Sequence, residues 1–280
     1  MLIRAAKKGL RRILNHVGHD IVPRTTPDAL SDDFDAATKS LYAEVRPYTM
    51  SGIERVAALC QAVEYVVRHS IPGDMVECGV WKGGSMMAIA KTLQRLRVSD
   101  RRLFLFDTFD GMTPPTAADI NLRGHDAATL LEQSSNAKEN ANIWAIAPLE
   151  HVQGVMAATG YDSRQIAYVA GRVEDTLPAQ APERVSILRL DTDWYESTYH
   201  ELVHLYPRLS VGGVMIIDDY GHWQGARRAV DQYLAEMNLR VLLNRIDYTA
   251  RSCVKLDEII APAAAGRQEK SSGMPRTENK

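Results

Sequence analysis

Cysteine is scarce in this chain of 280 residues. The three cysteines, Cys60, Cys78 and Cys253, lie far apart in apolar stretches and are odd in number. Such a set argues against a disulfide framework, and no spacing is typical of a zinc site. We expect three reduced, buried thiols in a cytoplasmic protein.

Long apolar runs are also lacking. The longest, such as residues 211–217, fall far short of the ~20 residues that a transmembrane helix needs. The N-terminus is not typical of a signal peptide, because basic residues interrupt its apolar runs. An excess of one charge is lacking too: the formal net charge is −2, which makes nucleic acid a poor candidate for a partner.

Residues 1–35 predict a basic amphipathic helix followed by a polar linker. Such a helix attaches to an anionic membrane surface or an acidic partner, or it packs on its own domain or a second subunit. We favour packing, because it is the commoner behaviour, and we expect a homo-oligomer. Residues 36–260 predict one folded domain, and residues 261–280 predict a disordered tail because they lack apolar periodicity.

Residues 36–260 alternate between short apolar segments and amphipathic ones. Predicted strands cover 74–80, 102–107, 166–171, 185–191 and 211–219, and predicted helices cover 36–45, 52–69, 83–96, 195–206 and about 224–237. This alternation indicates an α/β fold with a mostly parallel sheet and helices on both faces. Residues 240–246 and 252–256 predict a closing antiparallel hairpin, which makes seven strands. Residues 108–150 do not fit the alternation and predict a lid.

Each of the first five predicted strands ends in an acid or a glycine. In an open parallel sheet, ligands bind beyond the carboxyl ends of the strands. Acids at these positions do not serve core packing, because an unpaired buried carboxylate is costly. The residues at the five ends are Glu77 to Gly79, Asp107, Gly171, Asp191 to Asp193, and Asp218 with Asp219.

The first strand runs into the glycine-rich segment 76–85, VECGVWKGGS, before a helix. Glycines such as Gly79 let the backbone approach a ligand, and amides at the helix start, near Ser85, can receive a carboxylate. The spacing differs from that of dinucleotide-binding loops, so a nicotinamide cofactor is less expected. The segment resembles motif I of class I methyltransferases, which places Glu77 beside the methionine end of S-adenosylmethionine (SAM). The alternative is a glycine turn of purely structural use.

Two further segments suit a nucleoside. Asp107 ends the second strand, where a carboxylate can accept hydrogen bonds from both ribose hydroxyls. The alternative for Asp107 is a helix N-cap, and Asp110 is a second candidate for the ribose. Val173, in the stretch that follows the third strand, is expected to line the adenine. There a turn with a capping carboxylate is an equally good interpretation.

Four aspartates follow the fourth and fifth strands. If these strands are neighbours, about 5 Å apart, Asp191, Asp193, Asp218 and Asp219 converge and repel one another without a cation. A carboxylate-rich oxygen site suits Mg²⁺, Mn²⁺ or Ca²⁺. A metal that binds a hydroxyl lowers its pKa, and a free carboxylate can take its proton. The alternative, helix capping, explains one acid per strand and not two.

The run from Leu190 to Tyr233, together with VECGVWKGGS and LFDTFDGM, resembles the macrocin O-methyltransferase family over about residues 40–257. The known members methylate sugar hydroxyls of macrolide and aminocoumarin antibiotics. The resemblance implies a class I, Rossmann-like methyltransferase domain, SAM and Mg²⁺ or Mn²⁺, and a small glycoside or sugar as substrate.

The resemblance also implies roles for individual residues. Asp191, Asp218 and Asp219 match the metal ligands, with Asp191 also next to SAM, and Asp193 matches the catalytic base. Thr49 and Met50 match a segment that folds over SAM; alternatively, they belong to an ordinary helix start.

Two other functions compete with this prediction. Asp191, Thr192 and Asp193 form a D-x-D sequence, which in glycosyltransferases holds a nucleotide sugar through Mn²⁺. The glycine-rich segment and the Asp218–Asp219 pair argue against that function. A non-catalytic SAM or nucleotide binder is the second competitor, and it leaves the clustered aspartates without a purpose.

Overall fold

The computed structural model describes residues 33–135 and 144–257. The chain divides into two units, 1–40 and 41–280, and only residues 33–40 of the first are described. Nearly all of the expected amphipathic helix and linker, and the whole expected tail, therefore lie outside the described residues. Within the described ranges, no helix has the length and apolar character needed to cross a membrane.

Eight helices and seven strands follow one another along the described residues, with three 3₁₀ turns at Arg46–Tyr48, Ser163–Gln165 and Tyr206–Arg208. The helices are α1 (Ala36–Val45), α2 (Ile53–Arg68), α3 (Gly84–Arg95), α4 (Ala127–Ser135), α5 (Leu149–Ala157), α6 (Val173–Thr176), α7 (Tyr195–Leu205) and α8 (Gln224–Glu236). The strands are β1 (Asp74–Cys78), β2 (Leu103–Asp107), β3 (Ile166–Ala170), β4 (Val185–Leu190), β5 (Leu209–Ile217), β6 (Asn244–Arg245) and β7 (Arg251–Val254).

The strands form one sheet in the order β3-β2-β1-β4-β5-β7-β6. The first five run parallel, whereas β7 pairs antiparallel with β5 and with β6. The predicted α/β class with a mostly parallel sheet of seven strands is confirmed. In the register, Leu190 of β4 lies beside Ile217 of β5, so the acids that follow these two strands emerge side by side.

Alternate residues of the strands pack on opposite faces of the sheet. Met75 of β1 packs in one apolar cluster with residues of α2 and α3, such as Val63 and Ile89. The next residue, Val76, packs in a second cluster with residues of α7 and α8. Because side chains alternate along a strand, each face of the central strands buries its own apolar set. The three cysteines are buried free thiols, as expected.

The predicted hairpin is shorter than expected. β6 has only two residues, although the apolar pattern extends over residues 240–246. Leu242 is 76% exposed, while Val241 and Leu243 pack against the core outside the strand. An alternating apolar pattern can thus be satisfied by a loop that lies against the core.

The insertion after β2 is tied to the loop between β5 and α8. Asn121 forms an antiparallel bridge with Trp223, and the Leu122 amide donates to the His222 carbonyl at 2.8 Å. This contact places the insertion beside the acids that follow β5. Its predicted role as a lid stays a prediction.

Candidate active site

Eleven of the predicted site residues line one cavity of about 330 Å³ at the carboxyl edge of the parallel strands. They are Thr49, Met50, Glu77, Gly79, Ser85, Asp107, Val173, Asp191, Asp193, Asp218 and Asp219. The strand order explains this convergence, because β2, β1, β4 and β5 are consecutive neighbours in the sheet.

The glycine-rich segment is fixed by close contacts within the protein. Gly79 has φ +83°, and a Cβ there would overlap the backbone carbonyl of Asp191. A Cβ on Gly84, at the start of α3, would lie 2.6 Å from the Tyr48 carbonyl oxygen. Only glycine allows three chain segments to meet here, so the structural explanation of these glycines holds in addition to any contact with a ligand.

Asp107 holds the glycine-rich segment through its carboxylate. Oδ2 accepts hydrogen bonds from the amides of Val80 at 2.6 Å and Trp81 at 2.9 Å, and Oδ1 accepts one from Phe109 at 2.7 Å. A carboxylate has about four acceptor positions, so Asp107 still has capacity for a ligand hydroxyl. Asp107 therefore caps the amides of a loop and not, as the alternative prediction has it, those of a helix start.

Glu77 is 1% exposed and lies between Arg189 and the cavity. Its Oε1 accepts a hydrogen bond from Arg189 at 2.6 Å, whereas Oε2 is buried without a partner among the described residues. Burial raises the pKa of Glu77 to about 7, although Arg189 opposes this shift. Ser85 also interacts with the Glu77 carboxylate and lowers its pKa, and a donor or a cation from a ligand could give Oε2 a full partner.

Arg189 is the buried centre of the charge network. Its side chain is 3% exposed and lies 2.6 Å from Glu77, 2.5 Å from Asp191 and 2.5 Å from Asp218. It also donates to Ser51 Oγ at 3.1 Å. Burial lowers the pKa of Arg189, but the three carboxylates more than offset this, so it stays well above the usual value. One guanidinium thus holds the cofactor side and the acidic side of the cavity together.

Three of the four aspartates form a compact group. Asp191, Asp193 and Asp219 each offer a carboxylate oxygen within 4.8 Å of the others. Burial and the neighbouring acids raise the pKa of Asp193 to about 7 and raise those of Asp191 and Asp219 well above the usual value. Asp219 Oδ2 is buried without a hydrogen-bond partner among the described residues. The repulsion within this group is only partly relieved by protein groups.

Asp218 lies apart from this group, although it lines the same cavity. Its Oδ1 contacts Arg189 at 2.5 Å, and its Oδ2 contacts Arg55. The sequence predicts Asp218 as a metal ligand and Asp193 as the base, whereas the geometry puts Asp193 in the compact group. Both roles stay predictions.

The loop that carries Asp191 and Asp193 is held by a hydrogen bond to helix α7. Asp193 has φ +67°, a conformation that non-glycine residues seldom adopt. Between the two acids, Thr192 donates its hydroxyl to Glu201 of α7 at 2.9 Å. Glu201 is fully buried, and burial raises its pKa well above the usual value. Glu201 therefore supports the conformation of this loop through its hydrogen bond with Thr192.

The remaining residues predicted to bind the cofactor line the same cavity. Thr49 and Met50 form one wall, and Met50 is 53% exposed. Ser85 is buried in the first turn of α3, and Val173 begins α6 after β3. Asp110, the second candidate for the ribose, is exposed and does not line the cavity.

An aromatic wall and an open groove adjoin the acids. Trp223 and His222 line both the cavity and a second groove between the insertion and α8. Trp194 packs edge-on against Trp223 at 5.1 Å and donates its indole N–H to the Thr113 carbonyl at 2.9 Å. An acceptor larger than the cavity therefore has a path along this groove.

A family model described as Macrocin-O-methyltransferase (TylF) matches residues 24–254. The chain belongs to the macrocin O-methyltransferase family. It is therefore an enzyme that transfers a methyl group from SAM to a hydroxyl, and the resemblance stated from the sequence is confirmed.

Named relatives agree with this membership. The chain is 34% identical over 200 residues to demethyldecarbamoylnovobiocin O-methyltransferase of Streptomyces niveus, which covers 71% of this chain and 72% of the relative. It is 35% identical over 202 residues to 8-demethyl-8-(2,3-dimethoxy-alpha-L-rhamnosyl)-tetracenomycin-C 4'-O-methyltransferase of Streptomyces olivaceus, covering 72% and 73% of the two chains. Among solved structures, the O-methyltransferase NovP superposes with a TM-score of 0.66 at 28% identity, over 91% of this chain and 99% of NovP.

Three functional candidates in this macrocin O-methyltransferase family member escaped the sequence prediction: Arg55, Arg189 and Glu201. Arg189 carried a usable signal, because an arginine inside an otherwise apolar strand must be paired with acids. Glu201 lies on a helix with several other polar residues, so no local pattern distinguishes it from them.

Proposed function

We propose that this macrocin O-methyltransferase family member methylates a sugar hydroxyl of a glycosylated natural product or glycan, with a divalent cation such as Mg²⁺ or Mn²⁺ bound beside SAM. The support for a sugar acceptor is the relatives, one of whose names includes a rhamnosyl group. The support for the cation is the group formed by Asp191, Asp193 and Asp219.

The cofactor half of the proposal assigns SAM to the glycine-rich side of the cavity. Glu77 has a buried oxygen that lacks a partner among the described residues and can accept from the methionine ammonium. Asp107 keeps capacity for the ribose hydroxyls, and Val173 lies beside β3 for the adenine. Four more residues complete the wall of the cavity around the proposed SAM position: Thr49, Met50, Gly79 and Ser85.

The cation fits the donor set on physical grounds. Carboxylates in contact with the cavity outnumber the three guanidinium groups that pair with them, those of Arg55, Arg172 and Arg189. Desolvation and mutual repulsion hold the pKa values of Asp191 and Asp219 high, which a hard cation with oxygen ligands would reverse. The buried Asp219 Oδ2, without a partner in the described ranges, is the single observation that carries this step.

The proposed roles follow the sequence prediction. Asp191, Asp218 and Asp219 hold the cation, and Asp193 accepts the proton of the acceptor hydroxyl at its carboxylate. When bound, the cation supplies Lewis acidity that makes a hydroxyl a better nucleophile toward the SAM methyl group. For Asp218 to serve as a ligand, one of its two arginine contacts must give way.

The D-x-D glycosyltransferase alternative loses its support, because the family transfers methyl groups. The non-catalytic binder loses its support for the same reason. Asp193→Ala tests the proposed base: full methyl transfer by this variant would remove Asp193 from that role.

The deciding experiment measures transfer of a radiolabelled methyl group from SAM to candidate glycosides, with and without EDTA. We expect EDTA to abolish turnover while SAM binding, followed by calorimetry, is largely retained, and we expect added Mg²⁺ to restore turnover. Turnover that survives exhaustive chelation would show that no cation is needed.

The partners and location are proposed on the sequence alone. We propose a cytoplasmic homo-oligomer, with residues 1–35 serving self-association or peripheral membrane attachment, and no nucleic-acid partner. Light scattering of the full chain and of a chain that begins at residue 36, with and without anionic vesicles, separates self-association from attachment.

A further inference from the structure

The two arginines that pair with Asp218 are held with different firmness. Arg189 has a side chain that is 3% exposed and is bonded to three carboxylates and Ser51. Arg55 extends from the first turn of α2, has a side chain that is 16% exposed, pairs with Asp218 and Asp247, and donates to the Met50 carbonyl at 3.3 Å. Arg55 is therefore the easier of the two to move.

Asp247 offers Arg55 a second place to bind. Its Oδ2 lies 3.2 Å from Arg55 Nε, on the turn between β6 and β7. Its Oδ1 is fixed, because it accepts from the amides of Thr249 at 2.9 Å and Ala250 at 2.7 Å. Arg55 can thus leave Asp218 and remain paired with a carboxylate.

We infer that Arg55 is an internal counterion of Asp218 that a divalent cation displaces, and that Asp247 retains the displaced guanidinium. The inference rests on the proposed cation site. Because a guanidinium and a cation compete for the same carboxylate, Arg55 sets the affinity for the cation without contacting the acceptor. It is a positioning residue, and it acts through Asp218.

The inference predicts effects of opposite sign for two substitutions. Arg55→Gln removes the competing charge and should tighten cation binding about tenfold, as expected for one charge a few ångströms away in a partly buried site. Asp247→Asn keeps the Oδ1 acceptor of the turn but removes the charge that retains Arg55, so cation binding should weaken. When Arg55→Gln is already present, adding Asp247→Asn should weaken cation binding much less, because both substitutions act through the contact between Arg55 and Asp247.

The measurement is a titration of the full chain with Mn²⁺, without cofactor, in which electron paramagnetic resonance detects the free ion. Arg68→Gln is the matched control: Arg68 lies on the same helix, has a side chain that is 69% exposed and pairs with Glu64. We expect Arg68→Gln to bind Mn²⁺ as the wild type does. Circular dichroism melting verifies that each variant is folded.

The outcomes separate this inference from the proposed function. A wild type that binds no Mn²⁺ removes the cation site itself, and the inference with it. A wild type that binds Mn²⁺, combined with an Arg55→Gln variant of equal or lower affinity, overturns the role of Arg55 alone. If Arg55→Gln does not fold, Asp247→Asn decides, since unchanged or tighter binding by that variant also overturns the inference.

Discussion

The two halves of the cavity meet their electrostatic needs in different ways. On the glycine-rich side, Asp107 accepts three backbone hydrogen bonds, and Gly79 allows a close backbone contact with Asp191. On the acidic side, Asp219 keeps an oxygen that has no partner among the described residues, and Asp193 has a left-handed backbone conformation. The backbone of the glycine-rich side is held by contacts within the protein, and only Glu77 keeps an unpartnered oxygen there among the described residues, whereas the acidic side holds several charges that an ion can neutralise.

The largest expected effect concerns the glycine-rich half of the cavity. Gly79→Ala should cost more than about 3 kcal/mol of unfolding free energy, because a Cβ would overlap the Asp191 carbonyl at φ +83°. Gly154→Ala is the control, since a Cβ in that helix has no neighbour within 4 Å and should stabilise by up to about 1 kcal/mol. Thermal melting measures both. Equal melting temperatures for the two variants would contradict the close packing of the glycine-rich segment.

The next effect concerns catalysis in the acidic half. Asp193→Asn should lower kcat about 10²- to 10⁴-fold, because the amide cannot take the proton of the acceptor hydroxyl. The affinity for SAM, measured by calorimetry, should remain near that of the wild type. An unchanged kcat would reassign the base.

A comparison of stabilities sharpens the contrast between the halves. In EDTA, Asp219→Asn should raise the melting temperature by an amount equivalent to about 1 kcal/mol, because it removes a carboxyl that burial and the neighbouring acids make costly to ionise. Asp107→Asn should lower it by about 1–2 kcal/mol, because an amide cannot accept all three backbone hydrogen bonds. Shifts of the same sign would show that the two halves do not differ as described.

The smallest effect concerns the buttress behind the acidic half. The folded-state pKa of Glu201 is raised by burial, so the proton it binds stabilises the fold, and this contribution is lost as pH rises above the unfolded value. Glu201→Gln should therefore gain about 0.7 kcal/mol of stability relative to the wild type when the pH is raised from 5.0 to 5.5. Urea unfolding at both pH values measures this difference. A pH-independent difference would mean that Glu201 is not neutral in the folded protein.

The sequence predicts much of this arrangement, because the apolar pattern of a segment shows where a strand ends and which residues follow it. Apolar segments that end in acids place Asp191 and Asp218 at the carboxyl edge, and the parallel register of β4 and β5 brings them side by side. The glycine-rich segment is identified in the same way.

The rest depends on contacts that no local pattern encodes. Arg55 reaches Asp218 across 163 positions of sequence, so the contact depends on the placement of the first turn of α2 beside the end of β5. The positions of the arginine side chains decide which carboxylates pair with an arginine and which face one another. For this reason the metal ligands predicted from the sequence do not take into account that Arg55 and Arg189 compete with a cation for the same carboxylates.

Three of the four tryptophans lie at the cavity or against a residue that lines it. Trp81 and Trp223 line the cavity, and Trp194 packs edge-on against Trp223. Trp144, in the insertion, packs against the apolar cluster that contains Trp194. Indole fluorescence should therefore change when a ligand binds, with little background from elsewhere in the molecule. The enzyme thus carries its own optical reporter, and unlabelled protein can be screened for acceptors before any turnover assay exists.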